Sequence, residues 1–249
     1  MWTVKNLEAT RSTQDVALAH VRSEYNNEKL VFYSENQTNG YGTNGRPWVS
    51  SDRSLAASMV FPLKFFLEDD APKLLPIIFA LLVAKSIEKA ISPKRLLLGL
   101  KWPNDLYKDG RKVGGILLHL ISSKIKKSSN KIAILGIGIN IAWGTNNNQF
   151  NASALYDCIK SSMTFDASNF FKELTTGIDN LDNDMILLNS PLEFNKRDIL
   201  KKKYIKVAID KYQMVSGINH GIDIQGKLLI KESSKSEVTR IDRGSIQWR

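Results

Sequence analysis

The stretch GYGTNGRPW, residues 40–48, combines glycines with one arginine and one tryptophan. Glycines let a backbone approach a ligand closely and aim its N–H groups at ligand oxygens. Arg46 adds a forked donor that suits phosphate, and Trp48 adds a flat apolar face that suits a nucleotide base. The types of residue therefore indicate a loop that binds an anionic, nucleotide-like ligand. A surface loop anchored by a core tryptophan is the alternative that they leave open.

Two common nucleotide-binding motifs share part of this glycine spacing. Gly40, Gly42 and Gly45 satisfy G-x-G-x-x-G, and the first and last of them satisfy the first half of a P-loop. A dinucleotide turn needs a strand directly before its first glycine and a helix at its last, but five polar residues, 35–39, precede Gly40. A P-loop needs Lys-Ser/Thr after its last glycine, where this chain has Arg46-Pro47. The context excludes both motifs.

Three further segments bring polar residues to the ends of predicted strands. KWPNDL at 101–106 follows a strand, KVGGI at 112–116 begins the next one, and GIGIN at 136–140 ends another. Each alone has a plain explanation, because Asn and Asp favour turns and a lysine at a strand end is commonly solvated. Together with the glycine loop they predict one site that contains Lys, Arg, Asp and Asn side chains.

The composition is that of an ordinary globular protein with an excess of positive charge. The 249 residues are 43% hydrophobic and 24% charged, with a formal net charge of +10. This excess favours anionic partners, but no helix-turn-helix or RNA-binding signature accompanies it. Cys158 is the single cysteine, and the three histidines are far apart, so we predict neither a disulfide nor a zinc site. No signal peptide and no membrane-spanning run is visible, which predicts a cytoplasmic protein.

Apolar periodicity and turn residues predict an α+β architecture followed by a small barrel-like module. We expect Lys108–Arg111, which contains Asp-Gly, to be a hairpin turn. The first predicted strand closes at Lys5–Glu8. The strands predicted after it are Lys29–Ser34, Ser54–Phe61, Arg95–Trp102, Lys112–Ile121 and Lys131–Ile139. The predicted helices run from Ser12 or Thr13 to about Tyr25, over Lys73–Ile91, and through most of 153–202. The predicted strands of the module are Ile205–Ile209, Val215–Ile218, Lys227–Ile230 and Ile246–Trp248.

These segments resemble the family of biotin protein ligases. The family's glycine motif, G-R-G-R-x-G-R-x-W, aligns with Gly40–Trp48 without a gap. Its K-W-P-N-D-L motif is intact at Lys101–Leu106, and Lys112 follows at the family's spacing. Gly136–Asn140 matches G-x-G-I-N, and Ser12–Gln14 matches S-T-N/Q. The resemblance covers essentially the whole chain, since the stretch 217–226 resembles a turn of the family's C-terminal domain.

The resemblance implies a fold and a two-step reaction. A catalytic domain with a mixed sheet flanked by helices, similar to class II synthetases, would span residues 1–203, and an SH3-like barrel would span 204–249. Biotin would attack ATP to give biotinyl-5'-AMP and pyrophosphate, with Mg²⁺ present, and a lysine of a biotin carboxyl carrier domain would then displace AMP. A homodimer is compatible with the family. Because only eleven residues precede Ser12, we expect no DNA-binding repressor function.

The resemblance also implies roles for individual residues. Lys112 would supply the point charge of the adenylation step, Arg46 would grip phosphate, and Asp105 would orient the nucleotide and the incoming amine or support Lys112. The biotin site would consist of Ser12, Thr13, Gln14, Gln37, Gly40, Tyr41, Gly42, Thr43, Lys112, Gly114 and Gly115. The adenylate site would consist of Arg46, Trp48, Asn104, Asp105, Lys112 and Asn140. We expect one of Ser12 and Thr13 to cap the helix and the other to bind, and we name no protein ligand for a metal.

One departure from the family bears on activity. The family usually has arginine at the positions of Tyr41 and Thr43. The loop is expected to shield a labile mixed anhydride and hold its phosphate, so we predict weaker retention of the adenylate than is usual. Three alternatives remain open at this point: a biotin or biotinyl-adenylate binding protein without turnover, a lipoate-type ligase of the same fold, and nucleic-acid binding by the basic surface.

Overall fold

The computed structural model describes residues 1–23, 25–63, 74–91, 96–122, 131–144, 152–181 and 183–248. Its helices are α1 Thr13–Ser23, α2 Leu75–Ala90, α3 Ile159–Ser162, α4 Ala167–Asp179 and α5 Asn183–Arg197. Its strands are β1 Trp2–Asn6, β2 Ala9–Thr10, β3 Lys29–Ser34, β4 Asn36–Gln37, β5 Arg53–Pro62, β6 Gly99–Lys101, β7 Asp105–Lys108, β8 Arg111–Ser122, β9 Lys131–Ala142, β10 Tyr204–Ala208, β11 Met214–Ile222, β12 Leu228–Lys231, β13 Thr239–Ile241 and β14 Ser245–Gln247.

A seven-stranded mixed sheet forms the larger part of the molecule. Its order is β1-β3-β5-β9-β8-β7-β6, with β1 parallel to β3 and every other pair antiparallel. The central strands β5 and β9 are almost wholly buried, because one apolar cluster packs on the α1 side and a larger one on the α2 side. Both strands accordingly consist mainly of apolar residues rather than alternating with polar ones. The predicted α+β class is confirmed.

Helix α1 begins where the sequence predicts and covers one face of the sheet. The Oγ of Ser12 accepts a hydrogen bond from the backbone N–H of Asp15 at 3.3 Å, so Ser12 is the N-cap. Ala17 on the inner side of the helix is fully buried against the sheet cluster that contains Leu30 and Ile134. This packing places the first turn of α1, with Thr13, beside the middle of β5 and β9.

Several other predicted elements are confirmed with small shifts. Helix α2 matches the prediction over 75–90 and begins with a proline in its first turn, where the missing N–H costs no hydrogen bond; Lys73 lies outside the described residues. Asp109 and Gly110 have φ of 50° and 74° and form the predicted tight turn between β7 and β8. The strand predicted over 95–102 shortens to β6, and Arg95 lies outside the described residues.

The C-terminal module is a five-stranded antiparallel sheet with the order β13-β12-β11-β10-β14. It is consistent with an SH3-like domain, but its edge strands β13 and β14 do not pair with each other, so no closed barrel forms among the described strands. The sequence analysis missed β13. The module shares the main apolar cluster with the larger sheet, and Nε1 of Trp102 donates to the Gly226 carbonyl at 3.0 Å. The boundary at residue 203 stays a prediction.

Within the described ranges, none of the helices combines the length and the apolar composition needed to span a bilayer.

Candidate active site

A cavity of about 290 Å³ opens above β8 and β9. This volume lies close to the lower end of the roughly 300–1,000 Å³ of small-molecule sites. Five parts of the chain form its wall: the start of α1, the glycine loop, the K-W-P-N-D turn, the central strands, and the start of β14. The sheet thus brings together the segments that the sequence analysis singled out, together with one segment that it did not.

The inner end of the cavity is lined by neutral polar side chains. Oε1 of Gln37 accepts from the backbone N–H of Thr13 at 2.9 Å and from its hydroxyl at 3.3 Å. The hydroxyl of Ser58 on β5 lies 3.0 Å from the Thr13 hydroxyl and 2.8 Å from Oε1 of Gln14. Thr13 therefore faces the cavity while Ser12 caps α1, as predicted, although Ser12 also lines the wall.

Two glycines of β9 make room for the site. A Cβ on Gly136 would lie 2.4 Å from Oε1 of Gln14, and a Cβ on Gly138 would lie 2.9 Å from the indole ring of Trp48. Both glycines therefore serve close approach rather than a special backbone dihedral. Because they are two residues apart on one strand, the Gln14 and Trp48 positions are separated by about 7 Å along β9.

The outer end of the cavity carries the charges. Nζ of Lys112 lies 2.5 Å from Oδ1 of Asp105, and Nζ of Lys101 lies 3.7 Å from Oδ2 of the same carboxylate. Burial lowers the pKa of Lys101, and the nearby charges of Lys112 and Arg46 lower it further, while Asp105 opposes this shift. Arg46 lines the same cavity, so this end brings together three cationic side chains and one carboxylate. This end of the cavity suits an anion of more than one charge.

Trp48 connects the two ends. Its ring packs on Gly138, and Nζ of Lys112 lies 5.5 Å from the ring centroid. The ring is a wall of the cavity, in the position where it can cover a flat group that reaches the cationic end.

The glycine loop is fastened to three other parts of the protein. Tyr41 donates its hydroxyl hydrogen to Oδ1 of Asp15 on α1 at 2.7 Å. Burial and this hydrogen bond raise the pKa of Tyr41 to about 12, so that the donor is retained. Oγ1 of Thr43 accepts from Nδ2 of Asn104 at 3.3 Å, and Nη1 of Arg46 donates to Oγ of Ser245 at 3.4 Å. Tyr41 and Thr43, the two departures from the family pattern, therefore bind protein groups.

Three predicted contact residues do not line the cavity. Asn140 is buried, and its Oδ1 accepts from the backbone N–H of Ser51 at 3.1 Å, which ties the segment after the loop to β9. Gly114 packs toward Leu106 because neighbouring residues of a strand face opposite sides, so only Gly115 meets the cavity. Gly40 instead leaves space for the side chain of Gln37, whose Nε2 would lie 2.2 Å from an added Cβ.

Asn104 lines the cavity, but its amide nitrogen is engaged by the protein. Nδ2 donates to the Ile116 carbonyl at 2.6 Å as well as to Thr43. These bonds hold the K-W-P-N-D turn against β8. The predicted hydrogen bond from Asn104 to a nucleotide would therefore have to use its Oδ1.

Mg²⁺, which the resemblance implies, has little protein to bind it here. In the part of the chain that the structure describes, no three His, Cys, Asp or Glu side chains cluster to hold a metal ion. The carboxylate among the described wall residues is that of Asp105, and lysines engage both of its oxygens. The residues present therefore do not fit a protein-built magnesium site, and Mg²⁺ commonly reaches such sites on substrate phosphates.

The sequence analysis gave no role to five of the wall residues described above. Lys101 was quoted within its motif but was given no role, and Gly136 and Gly138 were treated only as a strand end. Ser58 had a weak signal, as a small polar residue in a buried apolar strand. Ser245 had none, because only the fold brings residues 245 and 46 together.

The comparisons with known proteins agree with this geometry. The family model described as "Biotin/lipoate A/B protein ligase family" matches residues 7–140. The chain is 26% identical over 231 residues to the biotin–[acetyl-CoA-carboxylase] ligase of Mycobacterium tuberculosis (strain ATCC 25618 / H37Rv), covering 92% of this chain and 83% of that protein. It is 26% identical over 207 residues to the bifunctional ligase/repressor BirA of Escherichia coli (strain K12), covering 80% of this chain and 60% of BirA.

Among solved structures, the fold is similar to that of the biotin protein ligase from Aquifex aeolicus in complex with biotin and ATP. The TM-score is 0.70, the sequence identity is 21%, and the match covers 98% of this chain and 97% of the other. At this identity the likeness establishes the fold.

Proposed function

The chain belongs to the biotin/lipoate A/B protein ligase family, and we propose that it is an ATP-dependent biotin protein ligase that forms biotinyl-5'-AMP and transfers biotin to a lysine of a carboxyl carrier domain. The observation that carries the proposal is the division of one cavity into a neutral, hydrogen-bonding inner end and a cationic outer end. Biotin has the matching division, with a cyclic urea at one end and a carboxylate at the other.

The inner end has one hydrogen-bond donor too few, and a cyclic urea can supply it. Two hydroxyl hydrogens, those of Thr13 and Ser58, serve three contacts: to Gln37, between the two hydroxyls, and to Gln14. A ligand N–H would complete this network, and a ureido group has two of them and one carbonyl acceptor. The dithiolane of lipoate has no N–H, so the network favours biotin over lipoate.

The middle of the cavity suits an apolar tail. Gly115 and Leu117 of β8 lie on the cavity side of the sheet beside Gly138 and Gly136 of β9, whereas the side chains of Ile116, Ala57 and Ile137 belong to the core cluster on the other face. An added Cβ on Gly115 would already touch Asp105 and Lys112 at 3.4–3.5 Å. A tail that passes here would bring its carboxylate to Lys112.

The outer end suits the adenylation step. The carboxylate oxygen of biotin attacks the α-phosphorus of ATP and the bond to pyrophosphate breaks, so anions must approach each other. Lys112, Lys101 and Arg46 would offset this repulsion in the transition state. Trp48 would cover the adenine, and Asp105 would hold both lysines in place.

In the transfer step, the acceptor amine attacks the carbonyl carbon of the mixed anhydride, AMP leaves, and the amine loses a proton. Asp105 is the wall carboxylate near the anhydride and would orient the amine. The cytoplasmic location and the homodimer stay predictions.

The test mixes the purified chain with biotin, MgATP and a biotin carboxyl carrier domain and measures pyrophosphate release and biotin transfer. We expect both, with both lost in Lys112→Ala and retained in Lys108→Ala, whose lysine binds the Leu155 carbonyl outside the cavity. Biotin binding without pyrophosphate would identify a binding protein, and transfer of lipoate in place of biotin would identify a lipoate-type ligase.

A further inference from the structure

His119 stands behind the neutral end of the cavity without lining it. It lies on β8 opposite Ile134 of β9, half-buried on the face that α1 covers. Its Nδ1 is 2.8 Å from Nε2 of Gln14, whose Oε1 accepts from Ser58 in the cavity wall. His119 is therefore one hydrogen bond removed from the ligand site.

The surroundings of Gln14 fix the orientation of its amide. Nε2 also faces the Ile134 carbonyl at 3.4 Å, and a backbone carbonyl can only accept. Nε2 must then donate to His119 as well, so Nδ1 of His119 is an acceptor and the imidazole carries its hydrogen on Nε2. A protonated His119 would place an N–H against the Gln14 amide donor. The amide would have to break this bond or turn over, which sets its Oε1 against the Ile134 carbonyl and its NH₂ against Ser58.

We propose that neutral His119 is a positioning residue that holds the Gln14 carbonyl oxygen toward the cavity, so that the site accepts a ligand N–H only while His119 is unprotonated. The inference rests on the proposed function, since it assigns biotin's ureido N–H to the network of Gln14, Ser58 and Thr13. If the Gln14 amide turned over, its NH₂ group would donate to that network, and the ligand's N–H would no longer be needed there.

The charges around His119 set the direction of its titration. Burial lowers its pKa below the ordinary 6.5 or so, and the guanidinium of Arg22 on the last turn of α1 lowers it further. The residues in its row on β9 and β5, Ile134 and Val60, are uncharged, as are Gly136 and Ser58 in the row two residues away. His119 is thus neutral at pH 7. Biotin affinity should be constant above pH 7 and fall as the pH drops through the lowered pKa.

The experiment measures biotin dissociation constants without ATP between pH 5 and pH 8 by calorimetry. Wild-type affinity should fall about tenfold at the acid end, the effect of losing one buried hydrogen bond. His119→Asn should keep the affinity at pH 8 and lose the acid effect, because its Oδ1 replaces Nδ1 as an acceptor that does not titrate. His119→Leu should bind about tenfold more weakly at every pH. The control His20→Asn, on α1 but paired with Glu28, should behave as wild type.

A second readout does not depend on biotin. Nitrogen chemical shifts of His119 in the free, full-length protein report which ring nitrogen carries the hydrogen at pH 8, and we expect Nε2. A hydrogen on Nδ1, or an unchanged acid effect in His119→Asn, would overturn the inference even if the chain is a ligase. If biotin fails to bind at every pH while His119 carries its hydrogen on Nε2, the result would contradict the proposed function and the assignment of a ureido N–H to this network. The orientation of the Gln14 amide would still be confirmed.

Discussion

The two ends of the cavity are built in different ways. The neutral end comes from regular elements, with Thr13 and Gln14 on α1 and Ser58 on β5, each with less than 5% of its surface exposed. The cationic end comes from the glycine loop, from the start of β14 and from the strands beside the K-W-P-N-D turn, with Lys101 on β6, Asp105 on β7 and Lys112 on β8; Arg46 and Thr43 in the loop are exposed. The buried end is fixed by packing before any ligand arrives. The exposed end depends on side-chain hydrogen bonds between segments that are distant in sequence.

The two ends also differ in function: the neutral end recognises the ligand, and the cationic end stabilises charge during the reaction. A preset network of neutral groups discriminates by shape and hydrogen bonding, which a buried site does well because unpaired polar groups there are costly. A cluster of cations at the partly solvated end of the cavity contributes charge stabilisation, whose effect appears mainly in the transition state. Variants should therefore separate biotin binding from adenylation.

The largest effects are expected from two variants, one that removes the charge of Lys112 and one that removes the amide of Gln14. Lys112→Ala should lower the rate of adenylation by about 10²–10³ and weaken biotin binding without ATP much less, since a partly exposed ion pair with the biotin carboxylate contributes little compared with stabilisation of the developing phosphate charge. Gln14→Leu should weaken biotin binding and leave the KM for ATP unchanged. Calorimetry with biotin and pyrophosphate release measure the two quantities. Equal losses of both quantities in both variants would remove the distinction between the ends.

The two glycines of β9 should separate the ends again, with effects of about ten- to a hundredfold. In Gly136→Ala the new Cβ displaces the Gln14 amide and should raise the KM for biotin; in Gly138→Ala it displaces Trp48 and should raise the KM for ATP. Gly144→Ala, outside the cavity and with its nearest neighbour at 3.4 Å, serves as the control. Steady-state kinetics with each substrate varied provide the test. The reverse pattern would contradict the placement of the Gln14 amide at the biotin end and of the Trp48 ring at the ATP end.

The loop should show effects of about three- to tenfold on adenylate retention. Thr43→Arg restores a cation and should slow dissociation of biotinyl-adenylate, whereas Tyr41→Phe removes the bond to Asp15 and should speed it. Tyr212→Phe, whose tyrosine is almost fully exposed, is the matched control. Dissociation of adenylate formed from labelled biotin is followed after a chase with unlabelled biotin. If Thr43→Arg leaves the rate unchanged, the missing arginine does not limit retention.

The contact between the loop and β14 should give the smallest effect. Ser245→Ala removes one hydrogen bond to an exposed arginine, so we expect the KM for ATP to rise about two- to threefold and the KM for biotin to stay the same. The measurement is the KM for each substrate, with Ser236→Ala, in the connection between β12 and β13 and outside the cavity wall, as the control. A rise above tenfold would mean that the C-terminal sheet takes a larger part in the cationic end than this contact explains.

The sequence was most informative where local chemistry decides structure. Apolar segments bounded by polar residues predicted β3, β5, β8 and β9, and Asp-Gly predicted the turn after β7, because apolar composition and left-handed dihedrals are local properties. The N-cap role of a residue at the start of α1 was predicted for the same reason. The missed β13, with three residues, has too few apolar positions for a periodic signal.

The sequence analysis predicted which residues lie at the candidate site better than it predicted the contacts that they make. The family resemblance assigned Lys112, Asp105, Arg46, Trp48 and Gln37 to the site, and all five lie in the cavity wall. It also suggested direct contacts for Asn140 and Gly114, which the sheet turns away from the cavity. Neither the side of a strand that faces a ligand nor the partner of a buried amide is encoded by motif spacing alone.

By itself, the sequence determined the types of residue available, the order of the elements and the family to which the chain belongs. The tertiary structure decided which of those residues meet. It set Gln14 between Ser58 and His119, placed both lysines on one carboxylate, and tied the loop to Ser245 across some 200 residues of chain. The physical reason is that hydrogen bonds and ion pairs act over a few ångströms, and only sheet pairing and core packing bring residues so distant in sequence within that range.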